Sequence, residues 1–78
     1  MPRIPNIPGP YRLHFLSADC AEPMHIHVER DDAECKFWLS PLRLEFNEGF
    51  SDAELRRIRD IILENQPAIM EVWREHCR

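Results

Sequence analysis

Pro23-Met24-His25-Ile26-His27-Val28-Glu29 alternates apolar and polar side chains without a break from Met24 onward. Side chains on a β-strand repeat every two residues, so His25, His27 and Glu29 point one way and Ile26 and Val28 the other. The pattern predicts a strand that gives one face to a core and presents two imidazoles on an open face. Such a face has the geometry of a site.

Upstream, residues 11–16 (Tyr-Arg-Leu-His-Phe-Leu) alternate as a first strand, with Tyr11, Leu13 and Phe15 on one face and Arg12 and His14 on the other. Residues 17–22 form a polar loop. Before them, Pro2, Pro5, Pro8 and Pro10 fix φ and remove donors, so residues 1–10 read as an extended arm anchored over the domain by Ile4 and Ile7. Downstream, Arg30-Asp31-Asp32 reads as a hairpin turn, because Asp tolerates turn geometry. Residues 34–39 put Cys35, Phe37 and Leu39 on one face and Lys36 and Trp38 on the other. Ser40-Pro41 interrupts the pattern, and residues 42–46 make a fourth strand with Leu42, Leu44 and Phe46 as its apolar face.

The period then changes. Ser51-Asp52-Ala53-Glu54 has the form of a capping box, in which the Ser51 hydroxyl accepts from the Glu54 amide and the Glu54 carboxylate reaches back to the Ser51 amide. Leu55, Ile58 and Ile62 recur at helical spacing, with Arg56, Arg57 and Arg59 towards solvent. Pro67 stops or kinks this helix near Asn65 and suits the first turn of a second one. The second helix carries Ile69, Val72, Trp73 and His76 on one seam. The fold class expected is α+β: a small, mostly antiparallel sheet of three or four strands over residues 11–46, with helices in residues 51–78 packed on one face. The opposite face collects Arg12, His14, His25, His27, Glu29, Lys36, Trp38, Arg43 and Glu45. Three histidines stand together there if the first two strands are neighbours.

Composition sets the outer limits. Seventy-eight residues make one domain with a small core, which oligomerisation or a partner would support. No apolar run reaches the roughly 20 residues of a membrane span, and Met1-Pro2-Arg3-Ile4-Pro5 lacks the apolar region of a signal peptide. Cys20, Cys35 and Cys77 are odd in number and show no paired spacing, so reduced thiols and a cytoplasmic location are expected. A net charge of −4 disfavours indiscriminate binding to nucleic acid.

The motif Pro23-x-His25-x-His27-Val28, followed by residues 33–39 (Ala-Glu-Cys-Lys-Phe-Trp-Leu), then Gly49-Phe50-Ser51 and residues 54–58 (Glu-Leu-Arg-Arg-Ile), resembles the bacterial domain of unknown function 4160. The likeness runs over nearly the whole chain and keeps the family's order of motifs. Glu22 stands where many relatives carry a second proline. The resemblance implies a small protein from a two-gene operon of toxin–antitoxin type. Its partner would come from a neighbouring gene or from self-association, and RNA is a further candidate ligand.

For His25 and His27 three readings stay open. They are the functional centre of an interaction module; they hold a divalent transition metal; or they act as general acid and base in RNA cleavage. The metal reading draws further ligands from His14, Asp19, Cys20, Glu22 or Glu29, and no cofactor is fixed by spacing. In the catalytic reading, His14 stands in support and Lys36, Arg12 or Arg43 counters transition-state charge. Trp38 on the same face suits base stacking or a protein interface. Arg56, Arg57 and Arg59 read as a solvated face that could meet phosphate, and His76 as a favourable charge at a helix C-terminus. Replacing both site histidines on an open face is expected to cost within about 1 kcal/mol. If they instead hold the loop by buried hydrogen bonds, the cost is roughly 1–3 kcal/mol for each partner left unsatisfied.

Overall fold

The computed structural model describes Ile7, residues 9–16 and residues 19–77. Four antiparallel strands lie in the order β1 (Arg12–His14), β2 (His25–Arg30), β3 (Ala33–Leu39), β4 (Leu42–Glu48). A single 3-10 turn, Asp19–Ala21, sits in the connection from β1 to β2. Two helices follow, α1 (Asp52–Glu64) and α2 (Gln66–His76). The α+β arrangement expected from the change of period is the one observed.

Register explains the two faces. Leu13 lies opposite Val28, Val28 opposite Cys35, and Ile26 opposite Phe37, so these side chains share one face. Ile58, Ile62, Ile69 and Trp73 of the helices join Leu13, Phe15, Ile26, Val28, Cys35, Phe37 and Leu39 in one buried cluster. The hairpin from β2 to β3 turns on Asp31, whose φ of 52° is tolerated by a short polar side chain. Gly49 leaves the sheet at φ 101°, where a Cβ would also stand 3.2 Å from that of Ala33. The helices meet at Asn65: its amide reaches the carbonyls of Ile61 and Ile62, and its side-chain nitrogen donates to Ile61 at 2.8 Å. Pro67 stands in the first turn of α2, as its missing N–H requires. Arg56, Arg57 and Arg59 are exposed, and α2 buries Ile69 and Trp73 with Val72 and His76 half-buried.

Four expectations change. Between Phe37 opposite Leu44 and Lys36 opposite Phe46, β4 carries one extra residue, Glu45. This bulge reverses which face each later side chain takes, so Phe46 lies on the side of Lys36 and not with Leu42 and Leu44. The capping box is half formed. Ser51 Oγ accepts from the Glu54 amide at 3.2 Å, while the Glu54 carboxylate is held by Arg30 at 2.7 Å. An arginine with two donors outcompetes a single backbone amide for that carboxylate.

Thirdly, Cys20 and Cys77 are not reduced thiols. They form a disulfide, with Cα atoms 5.4 Å apart and a sequence separation of 57. The 3-10 turn of the β1–β2 connection meets the end of α2, a contact that spacing cannot reveal. Closing so long a loop stabilises the fold by about 4 kcal/mol in the chain-entropy account. The fourth change, the burial of the histidines, belongs to the site. Residues 1–6 of the N-terminal arm lie outside the described residues, and with them the anchoring expected of Ile4; Ile7 packs against the core cluster.

Candidate functional site

The pairing of β1 with β2 places His14 directly opposite His27, and the two-residue strand period places His25 on the same side. The His14 and His27 rings stack with centroids 5.6 Å apart, and His25 meets His27 edge-on at 5.1 Å. The three histidines that the sequence grouped conditionally are therefore one cluster. Each has a carboxylate beside it. Glu29 lies 3.1 Å from His14 Nε2, Glu22 lies 3.7 Å from His25 Nδ1, and Glu34 lies 3.9 Å from His27 Nδ1.

The cluster is not open. His14, His25 and His27 are 4%, 0% and 7% exposed. Trp38 of β3 and Trp73 of α2 both meet the His25 ring edge-on, at 5.5 and 5.2 Å. Trp73 also packs against Phe15, so the helical layer reaches the histidine face at the end of the sheet where β2 begins. Seen from the sequence, α2 belongs wholly to the other face; the bulk of a tryptophan at its C-terminal end removes that distinction. His25 Nδ1–H donates to the Pro23 carbonyl at 2.8 Å, which ties the strand to the turn before it. Lys36 Nζ reaches Glu22 at 2.7 Å and stands 4.5 Å above the Trp38 ring, so Trp38 is half-buried beneath a cation. Arg12 is exposed, with its guanidinium 3.9 Å from Glu29. Arg43 pairs with Trp38 across the β3–β4 ladder and is exposed.

Among the described residues, ligand atoms of His, Cys, Asp or Glu converge in a set of three at Cys20, His76 and Cys77. The sequence placed Cys20 and His76 in unrelated roles, since 56 residues separate them. Cys35 is different. Burial, with the charge of Glu34 added, pushes its thiol up to about 12, which makes it an inert core side chain.

A second feature escaped the sequence altogether. Strand β4 is an edge of the sheet, and its inner side chains are incompletely covered: Leu44 is 39% exposed and Leu42 half-buried. Between β4 and α1 lies a groove of about 230 Å³ lined by Phe37, Leu42, Leu44 and Leu55 with Arg43, Arg56 and Arg59 at its rim. Leucine alternation shows that β4 has an apolar face, but only tertiary packing shows that α1 leaves part of it bare.

Among the described residues no helix is long and apolar enough to cross a membrane. No curated protein and no solved structure matches the chain. The model of one family, described as a domain of unknown function, does match, over residues 11–74. That span takes in the whole sheet, the histidine cluster, α1 and most of α2, and the chain therefore belongs to the DUF4160 family.

Proposed function

We propose that the domain is a protein-binding module whose working surface is the β4 edge and the adjoining groove. The observation that carries this reading is a seven-residue edge strand lying beside an apolar trough rimmed by three arginines. An edge strand offers unpaired backbone groups, and an extended segment satisfies them by adding as a further strand. Alternate side chains of that segment would drop into the groove formed by Leu42, Leu44 and Leu55. Arg56 and Arg59, on the groove side, select Asp or Glu flanking those apolar positions, and Arg43, on the Trp38 side of β4, meets an acidic residue at an intervening position. The charges of Arg43, Glu45 and Glu48 along β4 discourage pairing with an indiscriminate apolar strand. The partner that the family resemblance implies, a small protein from a neighbouring gene or a second copy of the chain, would have to offer such a segment.

Direct chemistry at His25 and His27 has weaker support. A phosphodiester or a solvated metal ion needs an imidazole it can reach, and His25 has no exposed surface in this arrangement. Its Nδ1 is also committed to Pro23. The cluster serves the module better as the packed, polar underside that holds β1, β2 and β3 in register.

Selection from a phage-displayed library of random peptides tests the reading. Enrichment of extended sequences that combine apolar residues with Asp or Glu is expected, and binding should fall at least about tenfold in the doubly substituted Arg56→Glu, Arg59→Glu protein. Backbone N-methylation of an enriched peptide should also abolish binding, since strand addition needs its amides. Peptides that bind the charge-reversed protein as well as wild type would refute it. Sedimentation at micromolar concentration reports whether a second copy of the chain occupies the edge instead.

A further inference from the structure

We propose that Cys20, His76 and Cys77 form a thiol-gated zinc site: a disulfide when oxidised, a three-residue metal site when reduced. The ligand atoms of the three residues lie within 4.8 Å of one another, close enough for one ion to meet all of them. Two thiolates and one imidazole are a donor set suited to zinc, and water completes the tetrahedron at a half-exposed position. The imidazole is already held by one nitrogen. His76 Nε2–H donates to the Leu16 carbonyl at 3.3 Å, which leaves the Nδ1 lone pair for a metal. A ligating histidine fixed by a hydrogen bond from its other nitrogen to a backbone carbonyl is the usual outer-shell arrangement of such sites. The remaining free thiol, Cys35, is buried in the core and takes no part.

The chemistry balances in two steps. A dithiol gives two electrons and its two thiol protons to the Cys20–Cys77 bond and becomes a disulfide, or a phosphine gives two electrons and water supplies the oxygen of the phosphine oxide and the two protons; either way the two sulfurs end as thiols. Zinc then displaces those two protons and forms two Zn–S bonds and one Zn–N bond. Either state ties the turn at Asp19–Ala21 to the end of α2, so the same closure operates in oxidising and in reducing surroundings. For a chain of this size that closure is a large share of its stability.

The test uses the full chain, reduced with a phosphine under anaerobic conditions and titrated with Co²⁺ as the optical probe for zinc. One equivalent of Co²⁺ should bind with a thiolate-to-cobalt charge-transfer band and the visible bands of a tetrahedral ion, and Zn²⁺ should bleach both. The oxidised chain should show no such band, and Cys20→Ser and Cys77→Ser should lose it. His76→Gln should keep a charge-transfer band but bind at least about tenfold more weakly. Cys35→Ala should behave as wild type. Reduced wild type without the band, or Co²⁺ bound with no sulfur signature, overturns the proposal, because the second result would move the ion to the other histidines. A Cys20→Ser chain that retains the band, or a His76→Gln chain that binds as tightly as wild type, also overturns it.

Discussion

Truncating His25 to Ala should unfold a substantial part of this domain's stability, and the size of the loss can be worked from its surroundings. The side chain has no exposed surface, so its removal leaves a cavity bounded by the His27, Trp38 and Trp73 rings. A buried side chain of similar bulk costs about 2–5 kcal/mol on truncation, with the lower end fitting a polar ring. The hydrogen bond from Nδ1 to Pro23 adds about 1 kcal/mol, because that carbonyl lies near solvent and regains water. The expected total is about 3 kcal/mol, against about 4–12 kcal/mol for a whole chain of this length. Melting should fall by roughly 10–25 °C, taking about 4–8 °C per kcal/mol for a domain of this size. Urea unfolding followed by tryptophan fluorescence gives the free energy directly. His25→Asn separates the two contributions: its amide nitrogen stands where Nδ1 stands, so it should recover about 1 kcal/mol while the ring contacts stay lost. A His25→Ala chain within about 1 kcal/mol of wild type would refute this reasoning and restore the open-face site expected from alternation alone.

Gly49→Ala should destabilise the fold by about 1–3 kcal/mol in a thermal melt, since φ 101° strains any residue with a Cβ and that Cβ would meet Ala33 at 3.2 Å. Ser51→Ala removes the acceptor for the Glu54 amide and should cost about 1 kcal/mol by urea unfolding; a neutral result would mean that Arg30 and Glu54 alone fix the start of α1. Iodoacetamide at mildly alkaline pH should leave Cys35 unlabelled until denaturant is added, as mass spectrometry will show. The same thiol makes stability depend on pH in a definite direction. Its pKa is raised from 9.0 to about 12 by folding, so its contribution is complete below pH 9 and declines as pH rises towards 12. The difference in stability between wild type and Cys35→Ala across that window measures it.

What could be read in the sequence follows the range of the forces involved. Alternation in residues 24–29 and in residues 34–39, the change to helical spacing at Ser51 and the break at Pro67 are local signals, and the elements they mark are present. The bulge at Glu45 is not local: it depends on how β4 seats against β3, and it moved Phe46 to the other face. The histidine cluster was legible as a pairing, since antiparallel neighbours put His14 against His27, yet its burial was not. Trp73 lies 48 residues beyond His25 in the chain, and the ring that closes over the imidazole is the one that the helical period assigned to the core. A polar face becomes an interior face when two tryptophans flank it and a Lys36–Glu22 pair spans the remaining opening.

Burial of the three histidines favours recognition over direct chemistry. Imidazoles placed in the open would have been free to meet a substrate; imidazoles packed edge-on against tryptophan are closed off from one. The reactive potential of the chain then lies where side chains keep access to solvent. One such place is the β4 edge, where α1 leaves Leu44 partly bare and three arginines gather. The other is the junction of the Asp19–Ala21 turn with α2, where two sulfurs and an imidazole converge. Both arise from tertiary closure of segments distant in sequence. Neither could be found by spacing, and both can be tested by changing residues outside the fully buried core.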